Sequence, residues 1–323
     1  MEICIPYQPS SSGGPSTFYR NLTRSLQARG VIVTAVPTPR TTALLAIIYA
    51  HPRLLLRAKR LGIPIIQRLD GVHYPAASGW KSIRYNLPIW LNYRLFSRHI
   101  IFQSQYSRRQ CLHFLGPHRA AEHIIYNGVD TAVFTPANQP PTNTILSLLS
   151  SYKRAFELET VIQTYDILHG RYPHLQLAVA GQVSPRLATL VNGRPDIHWL
   201  GTVPHDQLPA QYRQSLLLLS AKLRQNCPNA VLEAMASGVP TVCFDSGAHL
   251  ELIGSEAGHC VPLPNDSFGP FPPLNAHQLA DAAESVLANR AQFSQQARLR
   301  AVQHFSLGKM VSQYWDVLQG IKD

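Results

Sequence analysis

The sequence predicts an α/β chain made of two doubly wound, Rossmann-like domains. Three observations carry that expectation. Strand-length apolar runs recur without strict alternation, helical apolar spacing fills the stretches between them, and one polar Pro-rich stretch divides the series in two.

The apolar runs lie at residues 3–5, 31–36, 44–49, 64–69, 99–103 and 123–126, then at 144–149, 175–180, 197–200, 216–219, 240–244 and 260–263. Near-continuous apolar strands are buried on both faces, as in a parallel sheet. Between them, Phe18, Leu22 and Leu26 recur at i, i+4, i+8, and Leu158, Val161, Ile162, Tyr165 and Leu168 share one helical side. The same spacing runs through residues 274–288 and 291–304. Strand–helix alternation implies right-handed βαβ units. The break falls at residues 135–142, where three prolines sit among polar residues. The expected domains are therefore residues 1–138 and 139–304, with residues 305–323 packing back on the first.

The length of 323 residues suits two domains, and 45% hydrophobic residues suffice for two cores. Cys4, Cys111, Cys227, Cys243 and Cys260 are odd in number and form no C-x-x-C pair, which excludes a disulfide framework or a zinc site and fits a reducing, cytoplasmic setting. The histidines show no metal spacing. No run approaches the roughly 20 apolar residues of a membrane span, and the first residues read as a buried strand rather than a signal peptide.

Charge is uneven. Residues 1–140 hold 16 Lys and Arg against 4 Asp and Glu, although the net charge of the whole chain is only +11. A basic half attracts an anionic partner, whether a membrane surface or a phosphorylated acceptor, or it serves solubility alone. The composition also admits nucleic acid, but no recognition motif supports it, and none is expected as a partner. Trp80-Lys-Ser-Ile-Arg-Tyr85 and Trp90-Leu-Asn-Tyr-Arg94 mix aromatic and basic residues, which suits either a domain-packing helix or a membrane interface.

Four loops are expected at the carboxyl edges of the sheets, where doubly wound folds bind ligands. After the first strand, Gly13 and Gly14 precede a helix, so backbone N–H groups there can approach a phosphate or a sugar, or the pair is an ordinary turn. Lys153 and Arg154 follow the first strand of the second half, where cations can neutralise a diphosphate or simply line a solvated loop. Residues 226–240 read Asn-Cys-Pro-Asn-Ala-Val-Leu-Glu-Ala-Met-Ala-Ser-Gly-Val-Pro: Pro228 and Asn229 open a helix that Asn229 can cap, Gly238 ends it, and Glu233 is expected near its first turn. That carboxylate can accept bonds from both hydroxyls of a ribose, or it complements the helix dipole. Residues 245–251 form the fourth loop, with Gly247 for close approach and Glu251 in the next helix.

In order and spacing these motifs resemble the retaining glycosyltransferase family 4, also called glycosyl transferases group 1. Gly13-Gly14 matches its first glycine-rich loop, and Asn127-Gly-Val-Asp130 with Phe134 its N-G-V-D…F motif. Gly181 matches the glycine after its second C-domain strand, Leu200-Gly201 its L-G turn, residues 229–240 its most specific motif, and Glu251 the later Glu in the loop after the next strand. The resemblance spans nearly the whole chain. It implies the GT-B fold, two Rossmann-like domains facing across a cleft, with an acceptor-side first domain and a donor-binding second. It implies transfer from a UDP- or GDP-sugar to a hydroxyl of a glycan or lipid-linked acceptor in glycan, polysaccharide or glycolipid synthesis, with no tightly bound cofactor or metal. Glu233 would hold the ribose, Lys153 and Arg154 would face the diphosphate, and Gly13 and Gly14 would approach the donor; Gln225, Asn226, Ala230 and Val231 complete the donor-binding set. Asp70 or His73 would act on the acceptor side, although Asp70-Gly71 equally suits a turn. A place at the inner face of a membrane also fits.

Two positions depart from the family pattern. Eight residues before Glu233 the family often has Glu and this chain has Gln225, which bonds hydroxyls without charge. The family's Arg and Lys are commonly separated, whereas Lys153 and Arg154 are adjacent, so either can face the phosphates. Gln225 keeps open a non-catalytic relative that binds a glycan or a partner. A nucleotide-sugar epimerase is the third alternative, and residues 226–240 argue against it.

Overall fold

The computed structural model describes residues 1–10, 13–152, 154–264 and 268–320. The chain forms two compact units, one of Met1–Gly128, Ser267–Phe271 and Leu307–Asp323, the other of Val129–Asp266 and Pro272–Ser306. The first passes to the second ahead of the Pro-rich stretch.

In the first unit the order is β1 (Glu2–Cys4), α1 (Gly14–Ala28), β2 (Ile32–Thr34), β3 (Ala43–Ile47), α2 (Pro52–Arg60), β4 (Ile65–Leu69), α3 (Pro75–Ser78) and α4 (Lys81–Leu91). A π-type turn over Asn92–Phe96 continues α4, and β5 (His99–Phe102), α5 (Gln105–Leu115) and β6 (Ala121–Ile124) follow. The second unit contains β7 (Thr144–Tyr152), α6 (Ala155–Arg171), β8 (Gln176–Val183), α7 (Pro185–Ala188), β9 (Ile197–Gly201), α8 (Leu208–Gln214) and β10 (Ser215–Ser220). It continues through α9 (Asn229–Ala236), β11 (Thr241–Phe244), α10 (His249–Ile253), β12 (Gly258–Val261), α11 (Ala276–Ala288) and α12 (Arg290–Phe305), and α13 (Leu307–Gly320) belongs to the first unit. Each of the twelve apolar runs read from the sequence overlaps one of these strands.

The first sheet is ordered β2-β1-β3-β4-β5-β6, with every neighbouring pair parallel. Its central strands β3 and β4 are buried along their whole length, which is why they carry unbroken apolar runs, whereas the edge strands β2 and β6 are partly exposed. On one face α1 lays Phe18, Leu22 and Leu26 beside Met310, Val311, Tyr314 and Leu318 of α13. Burying a side chain such as Leu22 stabilises the unit by roughly 2 kcal/mol. The other face is covered by Leu55 and Ala58 of α2, and by Ile89 of α4 with Tyr93. Gly128 lets α13 start close by: a Cβ there would sit 2.7 Å from Leu307 Cα and 2.9 Å from Met310 Cβ.

The second sheet is ordered β12-β11-β10-β7-β8-β9, also parallel throughout. From the central pair β7 and β10 the chain winds outward in both directions. The carboxyl ends of those two strands are therefore the switch point at which doubly wound sheets bind ligands. Cys243 and Cys260, far apart in sequence, are register partners on β11 and β12, with their Sγ atoms 3.6 Å apart. Among the described residues no helix is long and apolar enough to cross a membrane.

Candidate functional site

The carboxyl edge of the second sheet gathers the loops after β7, β10 and β11. Beyond β10 the backbone turns sharply at Arg224, a non-glycine residue at φ 59°, whose N–H donates to Ser246 Oγ at 3.0 Å. Gln225 then makes an isolated parallel bridge with Gly247, and the Ala248 N–H donates to Gln225 O at 2.8 Å. Gly247 permits this approach, because a Cβ there would meet Gln225 N at 2.5 Å and its φ is +74°. The loops after β10 and β11 are thus zipped together immediately before α9.

Two expectations about α9 are corrected. Pro228 is the N-cap, with ψ 116°, and no side chain caps the helix. The extended proline puts Asn229 already inside the helix, so Asn229 does not act as the cap. Glu233 is consequently the fifth of eight helical residues rather than a first-turn residue, and complementing the dipole no longer accounts for it. Its carboxylate is buried instead among donors. Tyr212 of α8 donates its phenolic O–H to Oε2 at 3.0 Å, and His205 Nε2 lies 3.1 Å from Oε1. The Tyr212 hydroxyl also lies 3.2 Å from Ala230 O, and the charged acceptor is the stronger of the two. Burial, then the neighbouring Glu233 charge, pushes the Tyr212 pKa well above its usual value.

Phe134 backs this cluster, its ring 5.9 Å from Tyr212 and 5.5 Å from His205. It is the last residue of the N-G-V-D…F motif, and the rest of the motif fixes it. Asp130 Oδ1 accepts from the Ala132 N–H at 3.0 Å, and Arg298 donates to Phe134 O, Thr131 O and Ala236 O at 2.8, 3.0 and 2.6 Å. Arg298 thereby ties the motif to the last turn of α9.

On the β7 side, Arg154 is the N-cap residue of α6, and its Nη1 donates to Glu157 Oε1 at 3.0 Å. Lys222, just beyond β10, donates from Nζ to Glu157 Oε2 at 2.9 Å, and the Glu157 side chain has no exposed surface. Two cations, one just after each central strand, thus share a buried carboxylate at this edge. Lys153 lies outside the described residues. Asn226 and Ala230 are partly buried beside the bridge, whereas the Val231 side chain is in the core.

Sequence reasoning missed Lys222, Glu157, His205 and Tyr212. The first had a usable signal, since it follows β10 directly at the expected ligand edge.

In the first unit, Gly13 is the N-cap residue and Gly14 the first residue of α1. The preceding loop is stitched by Ser16 Oγ, which accepts from the Ser10 N–H at 2.9 Å and lies 3.2 Å from Tyr7 Oη. Asp70 is held by an ion pair with Arg68 and by Gln103 Nε2 at 2.6 Å. Arg68 is buried, stacks 3.8 Å from the Phe18 ring centroid and donates to Asn127 Oδ1 at 2.9 Å. His73 is exposed against the Tyr85 ring, and its backbone is fixed by two hydrogen bonds with Asn86 of α4. Among the described residues no group of three or more His, Cys, Asp or Glu side chains could hold a metal ion.

The α/β chain carries two parallel-sheet Rossmann-like domains, and its fold matches that of solved GT-B glycosyltransferases. Residues 143–289, under half of the chain, match the family model described as glycosyl transferases group 1. Sucrose-phosphate synthase from Thermosynechococcus elongatus superposes with a TM-score of 0.74 at 16% identity, over 99% of this chain and 98% of that one. The HepE protein of Anabaena, solved with UDP-glucose, superposes with a TM-score of 0.76 at 14% identity, over 99% and 100%. Among curated proteins, a phosphatidylinositol N-acetylglucosaminyltransferase component from Arabidopsis thaliana is 25% identical over 138 residues. That match covers 40% of this chain and 31% of the relative, so the chain spans under a third of that protein's length.

Proposed function

We propose that this chain is a retaining family 4 glycosyltransferase that moves a sugar from a nucleoside-diphosphate sugar to an acceptor hydroxyl. The observation that carries the proposal is Glu233, a buried carboxylate at the ligand edge of a parallel sheet, oriented by Tyr212 and His205. Its two oxygens suit the two hydroxyls of a ribose. The family-model match over residues 143–289 and the UDP-glucose complex of a protein of like fold support a nucleotide-sugar donor, UDP- or GDP-linked.

In this reading the second unit binds the donor and the first the acceptor, a glycan or a lipid-linked glycan on the cytoplasmic side. The bond from the anomeric carbon to the β-phosphate oxygen breaks, and a bond to the acceptor oxygen forms on the same face. The acceptor's proton passes to the leaving phosphate. Arg154, Lys153 and Lys222 stabilise the charge that develops on the diphosphate. Gln225, Asn226 and the backbone at Ala230 and Val231 orient the donor, and Gly13 and Gly14 approach it from the first unit. His73 faces the acceptor, and Asp70 acts through its pairing with Arg68.

A second reading, a non-catalytic glycan- or partner-binding relative, draws on a specific arrangement. Gln225 is neutral, and Glu157 already engages both Arg154 and Lys222. The test is a panel of UDP- and GDP-sugars with product analysis, run on wild type and Gln225→Glu. Transfer by wild type with a retained anomer supports the first reading. Transfer only by Gln225→Glu supports the second.

A further inference from the structure

The outer face of α4 is a stripe of large apolar side chains. Trp80, Ile83, Leu87 and Trp90 recur at i, i+3, i+7 and i+10, the spacing of one helical face. Trp80 is 74% exposed, Ile83 78% and Leu87 54%. The inner face is separate, with Ser82 and Ile89 buried, followed by Asn92 and Tyr93. The stripe is therefore not the side of the helix that builds the core.

Basic residues flank it. Lys81 and Arg84 are exposed on the same helix. Beside the π turn that continues α4 lies α2, with Lys59 Nζ 5.8 Å from the Phe96 ring centroid. That helix exposes Arg53, Arg57, Lys59 and Arg60 and carries no acidic residue. Among the described residues Lys81, Arg84, Arg57 and Arg60 make no ion pair.

We infer that this face docks on an anionic lipid bilayer, with Trp80, Ile83, Leu87 and Trp90 entering the headgroup–acyl boundary and the cations of α4 and α2 contacting lipid phosphates. Aromatic and aliphatic side chains flanked by Lys and Arg are what an interfacial helix presents to a membrane. A protein partner would cover the apolar stripe but would not require an acid-free basic border beside it. The docking stands on this surface alone and does not depend on the glycosyltransferase reading.

The test is flotation of the full chain with two vesicle types, phosphatidylcholine alone and phosphatidylcholine with phosphatidylglycerol, alongside tryptophan emission. The chain is expected to float with the anionic vesicles only, to shift its emission to the blue, and to lose binding as salt rises. Arg84→Glu should weaken partitioning at least about fivefold, the effect of roughly one surface cation. Ile83→Ser with Leu87→Ser should abolish the blue shift while the circular dichroism stays unchanged, since both side chains are exposed. Equal flotation with both vesicle types, no flotation, or variants that bind like wild type would overturn the inference. So would sedimentation showing that the stripe instead joins two copies, with the Ser variants monomeric.

Discussion

Tyr212 and Glu233, 21 residues apart on helices either side of β10, share a buried hydrogen bond of 3.0 Å. It fixes a carboxylate that the helix dipole does not favour at that position. Replacing Tyr212 with Phe keeps the ring against Phe134 and removes the donor. We expect a stability loss of about 2 kcal/mol, the usual contribution of a hydrogen bond to a charged group. Donor affinity should fall with it. Urea denaturation and calorimetric titration read the two effects, and an unchanged affinity would detach Tyr212 from the site.

The Arg154–Glu157–Lys222 cluster predicts strong non-additivity. Lys222→Met leaves the buried Glu157 with one cation fewer and should cost about 3 kcal/mol. Glu157→Met on that background should recover much of the loss, because the uncompensated charge has gone. A double-mutant cycle in urea checks it, and simple additivity would show that the pair is uncoupled.

Gly247→Ala tests the zipped loops. The added methyl would press on the Gln225 backbone from a left-handed conformation, so we expect a loss on the order of 2 kcal/mol or more. Exchange protection of the Ala248 amide should fall with it. Wild-type stability and protection in the variant would refute the role of that contact.

Alkaline pH should destabilise the fold early. Burial pushes the Cys111 thiol up from 9.0 to about 12 and the Cys4 thiol to about 11, and it raises Tyr212 and Tyr93 as well. The folded chain therefore holds protons that the unfolded chain releases, and stability falls as pH rises above the ordinary thiol value. The Cys111 contribution is intact below about pH 9 and is lost progressively up to about pH 12. Cys111→Ala should flatten the decline there by up to about 1.4 kcal/mol per pH unit. Denaturant midpoints measured across that range check the slope.

Much of the architecture was legible in the sequence, because strands buried on both faces write unbroken apolar runs. All twelve runs overlap strands. The site was legible only where it follows the chain. The loops after β7, β10 and β11 announce themselves by glycine, proline and charge at strand ends. The donors to Glu233 do not, because Tyr212 and His205 reach it from another helix and its approach, and no local spacing encodes that packing. The α9 cap was misread for a related reason. Asn229 is a good cap by residue type, but the extended backbone of Pro228 takes the position first. The meeting of Lys222 with Arg154 depends on β7 and β10 being neighbours, a fact of sheet order rather than of either motif.

Glu233 is proposed to hold the ribose of a nucleotide-sugar donor. The most direct measurement is calorimetric titration of wild type and Glu233→Ala with UDP, UDP-glucose and a panel of other UDP- and GDP-sugars, with circular dichroism confirming that both are folded. Wild type is expected to bind at least one donor saturably, and the variant to bind it at least about tenfold more weakly, the loss of roughly 1.4 kcal/mol or more. No binding of any donor to folded wild type, or equal binding by Glu233→Ala, would contradict it.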